Sequence, residues 1–254
     1  MSMPAAERPV LVLLPGMDGT GLMFGPFLGV LEGMDAQVLR YPPELTAYPD
    51  CVAFARAQLP VGRPYLLLGE SFSGPVAIDL AAEQPKGLLG LVLCSTFARS
   101  PHPGLSWAAP IVRALPSFRM SHWLIRYLLL GTWASKPLLA LADNLPSVVP
   151  AATMKARLLA VVAVDHTPLL SRIQVPVLAL RATQDRLVPK ASDRWTKAHL
   201  PGLETKLIPG PHWLLQARPE VTARAIEAFL QRIQTAAADQ PRTTAGVGST
   251  EGST

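Results

Sequence analysis

The segment Gly69–Gly74, with the sequence Gly-Glu-Ser-Phe-Ser-Gly, contains the residue best placed to do chemistry, Ser71. It follows the apolar run Tyr65–Leu68 and precedes a helix-like stretch, Pro75–Glu83, so the serine falls at a strand-to-helix turn. Such a turn strains the serine backbone and needs small neighbours, which are supplied by Gly69, Ser73 and Gly74. The following helix would direct N–H groups at a developing oxyanion. The pattern predicts a nucleophilic serine, with an ordinary Gly/Ser turn as the alternative.

A serine nucleophile needs a histidine to accept its proton and a carboxylate to orient that histidine. Asp185 follows the apolar run Val175–Leu180 after a short loop, and His212 follows the run Glu204–Ile208. Each of them alone has an ordinary alternative, a helix cap or a surface position. All three residues follow strands in the order Ser, Asp, His, so the sequence predicts a catalytic triad of Ser71, Asp185 and His212.

The remaining histidines fit this role less well. His102 and His122 fall in a helical middle region, and His199 lies near the end of a helix. Asp165 and His166 are the only serious rival acid and base, and they precede a strand rather than follow one. They could reach Ser71 only if the end of the middle region folded over the serine.

Two backbone donors are needed for the oxyanion, and the best candidates are the N–H groups of Phe72 and Met17. Met17 lies in the glycine-rich loop Leu13–Gly21, which follows the first apolar run. A phosphate-binding loop is the alternative, but no Lys-Ser or Lys-Thr pair follows these glycines, and a Gly-x-Gly-x-x-Gly spacing is absent. No cluster of His, Cys, Asp or Glu has the spacing of metal ligands either. We therefore expect neither a metal nor a cofactor.

With these motifs the chain resembles the α/β-hydrolases from about Val10 to Ile233, in particular small bacterial carboxylesterases with a helical cap. In that family the elbow reads Gly-x-Ser-x-Gly and the oxyanion loop commonly begins His-Gly. Here Pro15 replaces the histidine and Ser73 replaces the second elbow glycine, a change small enough to fit. The sequence of this loop also resembles loops in some bacterial esterases and in plastid enzymes that make fatty acyl esters. The resemblance therefore implies acyl-enzyme chemistry and leaves acyl transfer open.

Apolar runs and helical patterns alternate along the chain, which predicts an α/β fold with a doubly wound, mostly parallel sheet. The functional groups would lie at the carboxyl ends of its strands. The predicted strands are Val10–Leu14, Ala36–Tyr41, Tyr65–Leu68, Leu88–Cys94, Val175–Leu180 and Glu204–Ile208, and the later helices are Ala191–Leu200 and Val221–Ile233.

The region Phe97–Ser171 has helical patterns broken by prolines, and it predicts a cap over Ser71; a plain helical insertion is the alternative. Its tryptophans are expected to face the substrate: Trp107, Trp123 and Trp133. We expect residues 1–96 and 172–234 to form one core, residues 97–171 the cap, and residues 235–254 a disordered tail.

Composition excludes several other classes of protein. The chain has 254 residues, a net charge of +5 and a mean hydropathy of +0.27, and its Lys and Arg residues form no run, which argues against nucleic-acid binding. Two cysteines, Cys51 and Cys94, are too few for a disulfide framework, and Cys94 should be a buried thiol. Neither a signal peptide nor a run long enough to span a membrane is visible. We expect a cytoplasmic protein without stable membrane insertion.

The leading hypothesis is a serine hydrolase that cleaves uncharged, apolar carboxylic esters through an acyl-Ser71 intermediate. An acyltransferase or thioesterase would use the same intermediate. A ligand-binding receptor on a hydrolase scaffold is the alternative from another class. The sequence gives no indication of the oligomeric state or of any partner besides a small-molecule ester.

Overall fold

A computed structural model describes residues 8–117 and 121–239. The sheet in this part of the chain has six parallel strands in the spatial order β2-β1-β3-β4-β5-β6. The strands are β1 (Val10–Leu14), β2 (Asp35–Val38), β3 (Tyr65–Glu70), β4 (Leu88–Cys94), β5 (Val177–Ala182) and β6 (Glu204–Ile208). The predicted doubly wound parallel sheet is therefore confirmed.

Both faces of this sheet are covered, which explains why its strands read as continuous apolar runs. Successive residues of β1 alternate between two buried clusters: Val10, Val12 and Leu14 belong to one, Leu11 and Leu13 to the other. The helices outside the middle region are α1 (Gly25–Leu28), α2 (Tyr48–Arg56), α3 (Gly74–Ala82), α8 (Lys190–His199), α9 (Leu214–Ala217) and α10 (Pro219–Ala238).

The chain between β4 and β5 is a helical insert, as the sequence predicts. Its α-helices are α4 (Ala109–Ala114), α5 (His122–Ile125), α6 (Lys136–Val148) and α7 (Ala151–Ala163), and a π turn and a 3₁₀ turn lie between α5 and α6. The one β-bridge in its described part pairs Arg99 with Asp165. A third cluster packs the insert against Trp213 and Met23, using Ile125, Leu130, Leu138 and Ala142.

Two predicted strands are displaced, and in each case the backbone explains why. Strand β2 ends at Val38 rather than Tyr41, because the Tyr41 N–H donates to Gly19 O at 2.8 Å in a loop outside the ladder. Strand β5 begins at Val177 rather than Val175, because Pro176 has no N–H for the ladder.

The C-terminal helix is longer than the sequence predicts. Helix α10 continues to Ala238, so the expected disorder is wrong for residues 235–238, where an alanine-rich sequence favours helix. Asp239 is the C-cap of this helix, and the rest of the predicted tail, 240–254, lies outside the described residues. Both cysteines are free and buried, as expected for Cys94. None of the described helices combines the length and the apolar character needed to cross a bilayer.

Candidate active site

Ser71 stands at a strained turn between β3 and α3. Its φ of 49° is in the left-handed region that residues other than glycine rarely occupy. A β-carbon at Gly69 would lie 2.6 Å from the carbonyl oxygen of Ser73, and one at Gly74 would overlap the side chain of Thr96. The Thr96 hydroxyl in turn donates to the Ser71 carbonyl. The small residues predicted around the serine are therefore required by close packing.

Three side chains from the carboxyl ends of three strands form one hydrogen-bonded series. Ser71 Oγ lies 2.9 Å from His212 Nε2. On the other side of the ring, His212 Nδ1 lies 2.9 and 3.0 Å from the two carboxylate oxygens of Asp185. The His212 and Asp185 side chains are only 4% and 3% exposed. The structure thus brings together the three residues that the sequence predicts as a triad.

The Asp185 carboxylate is fixed by its own loop as well as by the histidine. Its Oδ1 accepts hydrogen bonds from the N–H groups of Leu187 and Val188, both at 2.9 Å. Burial opposes ionisation, but His212 and these two N–H donors outweigh it and hold the pKa of Asp185 below its usual value. A carboxylate that accepts from Nδ1 orients the ring so that Nε2 faces the serine hydroxyl.

The loops that carry Asp185 and His212 are tied to each other and to the insert. Gln184 N–H donates to Gly210 O at 3.0 Å, and Trp213 N–H donates to Leu129 O of the insert at 3.2 Å. Residues 130–132 of the insert border a groove that also contains Asp185. The acid and base are consequently held between the sheet edge and the insert.

The rival residues have other partners. His166 Nδ1 donates to Pro75 O at 2.9 Å, and Asp165 Oδ1 accepts from Thr167 N–H at 2.9 Å. The other three histidines bond to Leu187 O, Asp143 and Trp195 O; they are His102, His122 and His199. His166 therefore fastens the end of the insert to α3, Asp165 bonds within its own turn, and neither is bonded to Ser71.

The loop predicted to carry the second oxyanion donor lies beside the serine turn. Strands β1 and β3 are neighbours, with Leu14 opposite Gly69, so the segments that follow them emerge side by side. Gly19 N–H donates to Gly16 O at 3.0 Å and closes a turn that has Met17 at its second position. Phe72 is buried and stacks on Tyr48 with ring centroids 4.8 Å apart, which fixes the backbone after Ser71.

Ser73 joins these two segments. Its buried hydroxyl donates to the carbonyl of Pro15 and lies 3.0 Å from the Tyr41 hydroxyl. Since the single proton of Ser73 is used by Pro15, Tyr41 is the donor in the second bond. The two departures from the family motif, Pro15 and Ser73, therefore bond to each other inside the protein.

Arg157 was missed by the sequence reasoning, although it is among the largest fully buried side chains. From helix α7 of the insert, its guanidinium donates to the carbonyls of Met17 and Asp18 at 3.0 and 2.9 Å. Further bonds reach Leu45 O at 3.0 Å and Pro42 O at 3.1 Å. The lack of a side chain on Gly19 makes room for it. The only signal in the sequence is a basic residue within an apolar run.

Glu70, directly before the serine, is the second group that was missed. It is 4% exposed, accepts a hydrogen bond from Gln216 Nε2 at 2.9 Å, and is also bonded by the Gly16 backbone. Burial raises its pKa to about 7, an effect that these bonds only partly offset. Through its bond with the Gly16 backbone, this carboxyl helps to hold the loop that contains Met17.

The three predicted substrate-binding tryptophans lie in different surroundings. Trp133 Nε1 donates to Gln184 Oε1 at 2.6 Å, beside the Asp185 loop. Trp107 and Trp123 are each 69% exposed. The core of the insert is aliphatic, which leaves these two rings on its surface.

This arrangement suits covalent catalysis by a serine, with Ser71 as the candidate nucleophile, His212 as the candidate base and Asp185 as the candidate orienting acid. Within residues 8–117 and 121–239, no group of three His, Cys, Asp or Glu side chains is placed to hold a metal ion.

Comparison with known proteins agrees with this fold. The chain belongs to the Alpha/beta hydrolase family, whose model matches residues 4–225. Phytyl ester synthase 1, chloroplastic, of Arabidopsis thaliana is 29% identical over 170 residues, which are 61% of this chain and 23% of that protein. The chain therefore spans less than a quarter of the length of this relative.

Solved structures of esterases share the architecture. A carboxylesterase of the thaumarchaeon Nitrososphaera gargenis superposes with a TM-score of 0.76 at 15% identity, covering 92% of this chain and 94% of that one. A thermophilic esterase from Thermogutta terrifontis gives 0.71 at 20% identity, covering 90% and 91%. At these identities the likeness concerns the fold. The family model and these structures together place the chain in the Alpha/beta hydrolase family and in its fold.

Proposed function

We propose that this hydrolase cleaves carboxylic esters through an acyl intermediate on Ser71. The observation that carries the proposal is the series of hydrogen bonds from Ser71 through His212 to Asp185, with distances of 2.9 Å at both ends of the imidazole. The strained φ of Ser71 supports it, because such strain persists where the surrounding structure enforces it and is concentrated at active sites.

In the proposed reaction, Ser71 Oγ attacks the ester carbonyl while His212 Nε2 takes its proton. The N–H groups of Met17 and Phe72 stabilise the resulting oxyanion. The bond to the alcohol then breaks, and His212 protonates the departing oxygen. A water molecule attacks the acyl-Ser71 with His212 as base, the acid leaves, and Ser71 regains its proton.

We further propose that residues 97–171 cap the site and that the substrate is uncharged and apolar. The bonds of Arg157 to Met17 O and of Trp213 to Leu129 O hold the insert against the loops around Ser71. The groove beside Asp185 is bordered by residues 130–132 of the insert and by Gln184 and Arg186, and Gln184 accepts a hydrogen bond from Trp133 Nε1. The insert packs aliphatic side chains, among them Leu130 and Leu138, against Trp213 beside His212, and apolar surroundings of this kind favour an apolar acyl or alcohol group.

The test is pre-steady-state hydrolysis of a p-nitrophenyl acyl ester. Wild-type protein is expected to release a burst of p-nitrophenol equal to the enzyme concentration, because acylation precedes a slower deacylation. Ser71→Ala should show no burst, whereas Ser106→Ala, in the exposed part of the insert, should retain it. A Ser71→Ala protein with wild-type activity would exclude this mechanism.

Acyl transfer to an alcohol is a second candidate, favoured by the sequence similarity to phytyl ester synthase 1. A site that excludes water would let an alcohol intercept the acyl-Ser71 intermediate. Hydrolysis in the presence of increasing amounts of a long-chain alcohol tests this. Formation of the new ester at the expense of free acid supports transfer, and its absence at every alcohol concentration excludes it.

A further inference from the structure

The outer side of the first helical segment of the insert is apolar and exposed. Trp107, Ile111 and Leu115 are 69%, 54% and 48% exposed. Residues 103–114 form a 3₁₀ turn followed by α4, and Leu115 comes directly after them; the spacing of four residues places the three side chains on one side of this segment. The adjacent positions Ala108 and Val112 are half-buried. The segment therefore has apolar side chains both against the protein and on its exposed side.

This exposed face is firmly attached to the protein. Lys155 of α7 donates from Nζ to Arg113 O at 2.9 Å and to Leu115 O, so it satisfies carbonyls at the end of α4. An exposed apolar surface held in place in this way usually marks an interaction site.

The insert that carries this face has a large excess of positive charge. No acidic residue occurs between Glu83 and Asp143. The insert, residues 97–171, has two acidic residues, Asp143 and Asp165, and seven basic ones: Arg99, Arg113, Arg119, Arg126, Lys136, Lys155 and Arg157. This excess equals the whole net charge of +5, so the rest of the chain is neutral. The side chains of Arg113 and Arg126 are exposed.

We propose that the face formed by Trp107, Ile111 and Leu115 docks on the surface of a bilayer rich in anionic phospholipid. Tryptophan and aliphatic side chains beside arginine are the combination that binds a lipid–water interface, with the rings among the headgroups and the cations on phosphate. A second copy of the chain would bring two positive surfaces together, which opposes self-association through this face.

Docking here would place the insert between the lipid and the sheet edge that carries Ser71. The proposal does not rest on the proposed chemistry, because the surface consists of residues outside the triad and its loops. It can therefore be tested in a Ser71→Ala protein, which also prevents any change to the lipid.

The test is co-sedimentation of the full-length Ser71→Ala protein with vesicles. One set contains equal parts of phosphatidylglycerol and phosphatidylcholine, and the other contains phosphatidylcholine alone. We expect the partition coefficient to be at least about tenfold higher on the anionic vesicles and to fall as salt is raised. Tryptophan emission should shift to shorter wavelength on binding, and Trp107→Phe should remove most of that shift.

Two double variants separate the apolar and charged contributions. Ile111→Ser with Leu115→Ser, and Arg113→Gln with Arg126→Gln, should each lower partitioning on anionic vesicles by about tenfold or more. The matched control is Val61→Ser with Leu207→Ser, which removes side chains that are 96% and 66% exposed outside the insert. The control should bind like the parent protein, and all variants should keep the parent Tm.

Three results would overturn the proposal. Equal partitioning on both vesicle compositions, or none on either, would remove the anionic surface as the partner. An equal loss in the Val61 and Leu207 control would show unspecific adsorption. Sedimentation of a lipid-free dimer that dissociates in the Ile111 and Leu115 variant would show that a second copy covers this face.

Discussion

The guanidinium of Arg157 and the backbone carbonyl of Met17 are joined by a hydrogen bond of 3.0 Å. It connects a helix of the insert to the turn whose N–H group we propose as an oxyanion donor. A buried arginine normally pairs with a carboxylate, but the four bonds found for Arg157 all go to backbone carbonyls. The position of the loop beside Ser71 thus depends on a residue more than a hundred positions away.

We predict that Arg157→Met lowers kcat about 10- to 100-fold with little change in KM, because a misplaced donor weakens binding of the transition state. Arg157→Lys should recover part of the loss. The matched control is Thr153→Val, on the same helix, which removes a 3.0 Å bond to Pro43 O but leaves the Met17 turn untouched. Equal kcat losses in Thr153→Val and Arg157→Met would indicate a purely structural role.

For the acid, Asp185→Asn should lower kcat by about two to four orders of magnitude and leave KM nearly unchanged, since it removes stabilisation of the imidazolium. Asp165→Asn is the comparison, because Asp165 bonds to Thr167 N–H and not to the triad histidine. Steady-state kinetics on one soluble ester decide the matter. A large loss in Asp165→Asn with a mild one in Asp185→Asn would reverse our assignment.

The sequence was sufficient for the parts of the site that depend on strand order. Ser71, Asp185 and His212 each follow a strand, and parallel strands bring their carboxyl ends to one edge whatever the details of packing. Arg157 and Glu70 could not be found this way. Arg157 acts through backbone carbonyls, which every residue has, and the shifted pKa of Glu70 arises from burial that only the folded chain creates.

The ends of the strands were predictable from the sequence only where apolar side chains determine them. The apolar run of β1 matches its strand, but β2 and β5 are displaced because a loop hydrogen bond and Pro176 decide where the ladder begins or ends. The exposure of Trp107 and Trp123 likewise depends on which residues fill the core of the insert. The sequence does not show which of its apolar side chains are buried there.

Stability should depend on pH through Glu70. The folded pKa of about 7 exceeds the ordinary 4.5, so the folded protein holds this proton more tightly than the unfolded chain does. Stability that is present below pH 4.5 is therefore lost as the pH rises through 7, by an amount on the order of 3 kcal/mol. Glu70→Gln should remove that loss in urea unfolding, and Glu44→Gln, on the surface, should not. Identical pH dependence in Glu70→Gln and wild type would contradict the burial effect.

Replacing Trp133 by alanine should change the ratio of kcat/KM between short and long acyl esters, because its ring adjoins Gln184 beside the groove at Asp185. Trp123→Ala tests whether the exposed ring also contacts the acyl chain. Both proteins should retain the burst on the smallest ester. If neither ratio moves while folding is preserved, these rings serve only the insert itself.

The most direct measurement is the intact mass of the protein after reaction with a fluorophosphonate, followed by peptide mapping. We predict a single adduct on the peptide that contains Ser71, no adduct in Ser71→Ala, and strongly slowed labelling in His212→Ala, because the nucleophile then lacks its base. His199→Ala, which alters a histidine bonded to Trp195 O, should label like wild type. An adduct on another residue, or labelling of Ser71 that does not depend on His212, would contradict the account.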